Sequence, residues 1–170
     1  MRSTFALFAV ALVLGCGTMS TPTTPTAAPA ADDLRWIDTL RALDERADRV
    51  VGAANFQSSR KELSAFGDEA AHAHRKRSEE IKSWRDSAFP KAIERVELPP
   101  CAQQEFDVGS KPSDLQILDT FIAHRECVSS YANQALANVR STTARHVLEE
   151  TARTFEAELK QLRTWRETWH

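Results

Sequence analysis

Glu69-x-x-His72 places a carboxylate and an imidazole three residues apart. On a helix that spacing puts both on one face, as in the Glu-x-x-His element that di-metal carboxylate bundles use twice. The second copy is missing, because His146-x-x-Glu149 carries the pair in reverse order. His72 and His146 also project away from the apolar stripes of their helices and read as solvated. His74 and His124 flank their stripes and read as partly buried. There is no Cys-x-x-Cys-His run, His-Glu-x-x-His helix, Gly-x-Ser-x-Gly elbow or phosphate loop. Covalent haem, zinc-protease, serine-hydrolase and P-loop chemistry are therefore excluded by pattern. No catalytic residue and no cofactor are predicted. Glu69, His72, His74 and His124 stand as the candidate ligands should the domain hold a metal or haem.

Three charges stand out for a different reason. Arg77, Arg125 and Glu158 fall on apolar stripes, where a charge is costly unless it is paired. The favoured reading is an internal polar layer that fixes helix register; the sharper one is an anion site between helices. The run His72-Ala73-His74-Arg75-Lys76-Arg77 could meet lipid phosphates, but Glu79 and Glu80 follow at once and favour a solvated face. Trp165 and Trp169 continue the last stripe, so they are expected to close one end of the fold.

The elements that must position these groups are helical. A first stripe runs Trp36, Leu40, Leu43, Ala47, Val50, Ala54, with Asp32 and Asp33 available as caps. A second runs Leu63, Phe66, Ala70, Ala73, Ile81, Trp84, after the capping-box pattern Ser59-x-x-Glu62. The two are out of phase, so a turn is placed at about residues 55–59; one continuous helix is the alternative. The third stripe is Leu118, Phe121, Ile122, Val128, Ala132, Ala135, Val139, opened by Ser113 with Gln116 in capping-box register. The fourth is Ala144, Leu148, Thr151, Phe155, Leu162, Trp165, Trp169, reached across Ser141-Thr142-Thr143. Amphipathic helices bury such stripes against one another, which predicts an all-α, four-helix up-down bundle.

Between the second and third helices, Pro90, Pro99, Pro100 and Pro112 break residues 89–112 into a loop far longer than an ordinary helix connection. A short helical piece over Lys91–Glu97 is the one element it could hold. Phe106 within it is expected to plug the bundle, with a binding anchor as the alternative.

The 170 residues fit one domain, and 22 Lys+Arg against 24 Asp+Glu give a formal charge of −2. That balance argues against a dedicated nucleic-acid binder. With 42% hydrophobic and 27% charged residues the chain is no disordered polymer.

The first residues carry an address. Arg2 is followed by the ten-residue apolar run Phe5 to Leu14. A helix of that length reaches about 15 Å, half a bilayer core, which suits a secretory h-region better than a membrane span. The run ends in Val13-Leu14-Gly15-Cys16, which resembles the lipobox of bacterial lipoprotein precursors, with Leu14 bulkier than the usual small residue. The resemblance implies cleavage before Cys16, lipid on its sulfur and attachment to a membrane facing the periplasm; Gly17 after it favours the outer membrane. Residues 1–15 are then a signal peptide. Residues 16–31 are the lipidated Cys and a Thr/Pro/Ala tether reaching roughly 20 Å, and residues 32–170 are the bundle. In an oxidising compartment the two remaining thiols, Cys101 in the loop and Cys127 on the third helix, are expected to pair and staple the loop to the bundle. Together these features predict a non-catalytic, membrane-anchored envelope protein that binds a partner protein. The alternative is a bundle that binds metal, haem or a small ligand.

Overall fold

Among the described residues five helices, α1 (Ala31–Glu45), α2 (Asp48–Gln57), α3 (Lys61–Ala88), α4 (Asp114–Leu136) and α5 (Thr142–Thr168), form the four legs of a bundle. The computed structural model describes residues 31–103 and 106–169. The signal sequence, the lipobox-like Cys16, the tether, Gln104, Glu105 and His170 lie outside those residues. No strand occurs among the described residues, and no described helix is long and apolar enough to cross a membrane.

The first leg is broken where the stripe predicted one helix. Arg46 and Ala47 form a turn between α1 and α2, with Ala47 N–H donating to the Asp44 carbonyl three residues back. The stripe nevertheless keeps its phase: Leu40, Leu43, Ala47, Val50 and Ala54 are all fully buried. The break therefore changes the hydrogen bonding and leaves the buried face intact.

The turn after α2 falls at residues 58–60, close to the expected place. The Ser59-x-x-Glu62 capping box does not form. Asp114 of α4 takes the hydroxyl of Ser58 at 2.7 Å and both the amide and hydroxyl of Ser59, so the serine is spent on a tertiary clamp and Arg60 starts α3 without a side-chain cap. Those same bonds, outweighing burial, hold the Asp114 carboxyl below the usual carboxylate range. Ser113 and Gln116 do form their box. Asp33 does not cap its own helix; its carboxylate accepts the amides of Arg140 and Ser141 at 2.8 and 2.9 Å and closes the α4–α5 connection.

Contacts along the legs fix their directions. Asp44 and Asp38 meet Arg77 and Arg85 in that order, so α3 runs back along α1. Ser58, Leu43 and Trp36 meet Asp114, His124 and Tyr131, so α4 also runs back along the first leg. Both α3 and α4 therefore point the same way and sit diagonally. The first leg and α5 fill the other two corners, and every neighbouring pair is antiparallel. This arrangement requires residues 89–113 to climb the full length of the bundle, which is why that loop is long. No helix forms over 91–97; this stretch is held to α1 instead, by Arg95 N–H on Asp38 and Glu97 N–H on Thr39. A single 3₁₀ turn, Pro100–Ala102, leads to the Cys101–Cys127 disulfide, the staple expected from the sequence. Further on, Phe106 is buried as the predicted plug, its ring edge-on to His124 at 4.9 Å.

Candidate functional site

Halfway along the bundle the four legs each send polar groups into the core. Arg125, from α4, is completely buried at 0% exposure. Its Nε donates to Glu158 Oε2 of α5 at 2.5 Å. Its Nη1 faces two imidazole nitrogens, His124 Nδ1 at 2.8 Å and His74 Nε2 at 3.2 Å. The guanidinium carbon lies 4.2 Å from the centre of the Phe155 ring, with Phe121 and Phe66 farther out at 5.5 and 5.7 Å. Aromatic faces solvate a cation that water cannot reach.

A guanidinium has donors only, so both nitrogens facing it must be unprotonated. This sets the tautomers. His124 carries its proton on Nε2 and donates to the Leu43 carbonyl at 3.0 Å. His74 carries its proton on Nδ1, where no group among the described residues accepts it. Burial first, then the charges of Arg125 and Arg77, push His74 down to about 2. His124, wholly buried beside Arg125, is also driven well below the ordinary imidazole range. Both rings are neutral at any physiological pH.

Arg77 of α3 belongs to the same layer but not to Glu158. Its partner is Asp44 at the end of α1, through a two-pronged contact of 2.6 and 2.8 Å. Burial lowers the affinity of Arg77 for its proton, but the Asp44 carboxylate outweighs it and holds the guanidinium charged. The layer thus contains two cations and two anions and is neutral as a whole. Each arginine already owns a carboxylate, which leaves no unneutralised cation in the layer, while Arg125 Nη2 meets no acceptor among the described residues.

Sequence reasoning named Arg77, Arg125 and Glu158, and the structure brings all three to one level. It missed Asp44, which supplies the fourth charge. The signal was present: Asp44 lies four residues after Leu40 and three before Ala47, on the buried stripe itself. His74 and His124 join the layer more deeply buried than expected. His72 and Glu69 are exposed and take no part, and His146 is an exposed partner of Glu150 at 3.8 Å. The run 72–77 is therefore split: His72, Arg75 and Lys76 face solvent while His74 and Arg77 face the core. At the end of the bundle Trp165 and Trp169 stack at 5.5 Å beneath Arg60 and close it as predicted.

No protein-family model and no curated protein matches the chain by sequence. Solved structures do. CopM in the Cu(II)-bound form superposes with a TM-score of 0.70 at 15% identity, over 81% of this chain and 97% of that one. CopM in the Cu(I)-bound form gives 0.67 at 17%, over 81% and 97%, and the apo form gives 0.67 at 17%, over 81% and 98%. The likeness is one of fold.

Copper and silver prefer thioether, thiolate and imidazole ligands. Both methionines of this chain, Met1 and Met19, lie outside the described residues, and Cys101 and Cys127 are tied to each other. His74 and His124 do converge on one point, as two ligands of a soft cation would, but that point is held by Arg125 Nη1. A metal ion there would need the guanidinium to leave and its pairing with Glu158 to break. Among the described residues no three His, Cys, Asp or Glu groups are placed to hold a metal. The buried layer does not fit one.

Proposed function

We propose that this chain is a non-catalytic envelope lipoprotein, held through Cys16 to the periplasmic face of a bacterial membrane, the outer membrane by preference, and that its bundle binds a partner protein. The crossover loop carries this reading. Residues 91–99 are pinned to α1 and α3, by Arg95 N–H on Asp38 and Glu97 N–H on Thr39, both at 2.9 Å, by Arg41 on Glu94 at 2.6 Å and by Arg85 of α3 on the Ala92 carbonyl at 2.8 Å, and are then stapled by the disulfide. Yet this fixed strap leaves Ile93 86% exposed and Val96 43% exposed. A rigid backbone that presents apolar side chains loses little entropy on binding. The core layer, closed and neutral, supplies rigidity.

A photoreactive amino acid at Ile93, with a control at the exposed Arg153 on α5, tests this in intact cells. One discrete protein adduct from Ile93 and none from Arg153 is the expected result. Equal labelling at both positions, or none at Ile93, overturns the reading. In parallel, Cys16→Ala is expected to release the protein from the membrane fraction; a variant that still fractionates with membranes as mature protein refutes the anchor.

A second reading, metal binding, is favoured by the fold shared with CopM. It would require exposed ligands such as His72 and His146, since the buried pair is occupied.

A further inference from the structure

Where the strap meets the bundle there is a cavity of about 410 Å³ between α1, α4 and residues 97–100. Trp36 and Tyr131 form an aromatic wall, their rings 5.4 Å apart and tilted, and Pro99 of the strap also lines the cavity. The Arg35 guanidinium lies against the Trp36 ring at 4.9 Å. Two buried donors sit on residues that line it. Among the described residues neither the Nε of Arg35 nor the indole Nε1 of Trp36 meets an acceptor. The third oriented group, the Tyr131 hydroxyl, donates to the Trp36 carbonyl at 3.1 Å and so holds that segment of α1 in place.

Guanidinium and indole N–H groups can only donate, so what completes this wall is an acceptor. A planar guanidinium matches a carboxylate best, and one carboxylate of the chain is already there: Glu97 Oε2 on Arg35 Nη1 at 2.9 Å. Glu97 is itself largely exposed, on the strap, and is displaceable. The volume falls within the range of small-ligand sites. We infer that this cavity binds a small organic carboxylate with an apolar or aromatic group, its oxygens held by Arg35 and Trp36 and its apolar part lying between Tyr131 and Pro99. The carboxylate can come from a free acid or from the C-terminus of a peptide. This site is separate from the strap face around Ile93 and does not rest on the partner reading.

The experiment is a titration of the purified, disulfide-intact domain, followed by calorimetry and by the Trp36 indole proton in NMR. Probes are N-acetylphenylalanine, its carboxamide, and a short peptide ending in phenylalanine with free or amidated terminus. Expected is saturable binding of the acids, with the Trp36 proton moving downfield, and at least tenfold weaker binding of the amides. Binding of the free acid assigns a small-molecule source; binding of the peptide acid alone assigns a chain terminus. Arg35→Gln should abolish the Trp36 shift, and Glu97→Gln, which removes the internal competitor, should tighten binding several-fold. Both variants should melt close to wild type, since the Arg35–Glu97 pair is exposed. Equal binding of acids and amides, binding unchanged in Arg35→Gln, or no binding by any probe overturns the inference.

Discussion

Glu158→Ala is the perturbation that most exposes how the core is held. Among the described residues Glu158 is the only carboxylate bonded to Arg125, and Arg125 has 0% exposure. Its other close contacts are two neutral imidazoles and three phenyl rings, which stabilise a cation weakly, and the nearby Asp44 carboxylate is already paired with Arg77. Removing the carboxylate changes the layer from neutral to one net positive charge in the interior. Breaking a buried pair in this way costs about 3–5 kcal/mol. Glu158 keeps 19% of its side chain in contact with solvent, so water can enter after truncation, and the lower part of the range, about 3 kcal/mol, is expected. For a domain of this size that corresponds to roughly 10 °C in melting temperature. Chemical denaturation at pH 7 measures it, with exposed Glu149→Ala as a control expected within about 0.5 kcal/mol. The double variant Glu158→Ala with Arg125→Met should recover most of the loss, because the stranded charge goes with its partner. Equal shifts for Glu158→Ala and Glu149→Ala, or no recovery in the double variant, would refute the argument.

Acid should destabilise the fold through its histidines. His74 and His124 stay neutral when folded but bind protons below about pH 6.5 when unfolded, so stability is full above that pH and falls below it, by about 1.4 kcal/mol per pH unit for each ring. Urea melts from pH 7 to 4.5 should show the decline, and His74→Gln should flatten it; a pH-independent midpoint would mean the rings are protonated in place. Replacing Cys101 and Cys127 together by Ser opens a link across 26 residues and should cost about 3–4 kcal/mol while leaving far-ultraviolet helicity near wild type, with limited proteolysis beginning in residues 89–113. Unchanged protease sensitivity would show that the contacts to α1 and α3 hold the strap without the disulfide. Gly67→Ala and Gly52→Ala should have opposite signs in thermal melts. A Cβ at Gly67 would lie 2.1 Å from Asn55 Oδ1 and 2.8 Å from Ala54 Cβ, costing about 1–3 kcal/mol, whereas Gly52 has nothing within 4 Å and gains up to about 1 kcal/mol from helix propensity. Equal signs would contradict the close approach of α2 and α3.

The helices were legible in the sequence because apolar spacing reports the buried face directly, and Leu63, Phe121, Leu148 and Phe155 are all in the core as their spacing requires. Caps were legible only where no tertiary partner competed. Ser113 found Gln116 within its own turn, whereas Ser59 was claimed by an aspartate 55 residues away. The break at Arg46 and Ala47 left no trace, since the stripe passes through it without losing phase. The direction of α4 was equally hidden, because proline content says that a loop is long and not which end of the bundle it reaches. Of the core layer, Arg77, Arg125 and Glu158 were found by asking which charges sit on apolar stripes. Asp44 escaped because the first stripe was traced through its apolar members alone, and with it escaped the partner of Arg77.

The convergent histidines serve the fold, with Arg125 in the place a soft cation would take. Titrating the purified domain with Cu(I) and Ag(I), while following the His74 and His124 imidazole resonances by NMR, tests this most directly. The predicted result is that neither ring shifts and that any metal taken up is lost to a chelator. Stoichiometric metal that survives the chelator and moves both resonances, with uptake abolished in His74→Ala, would contradict it.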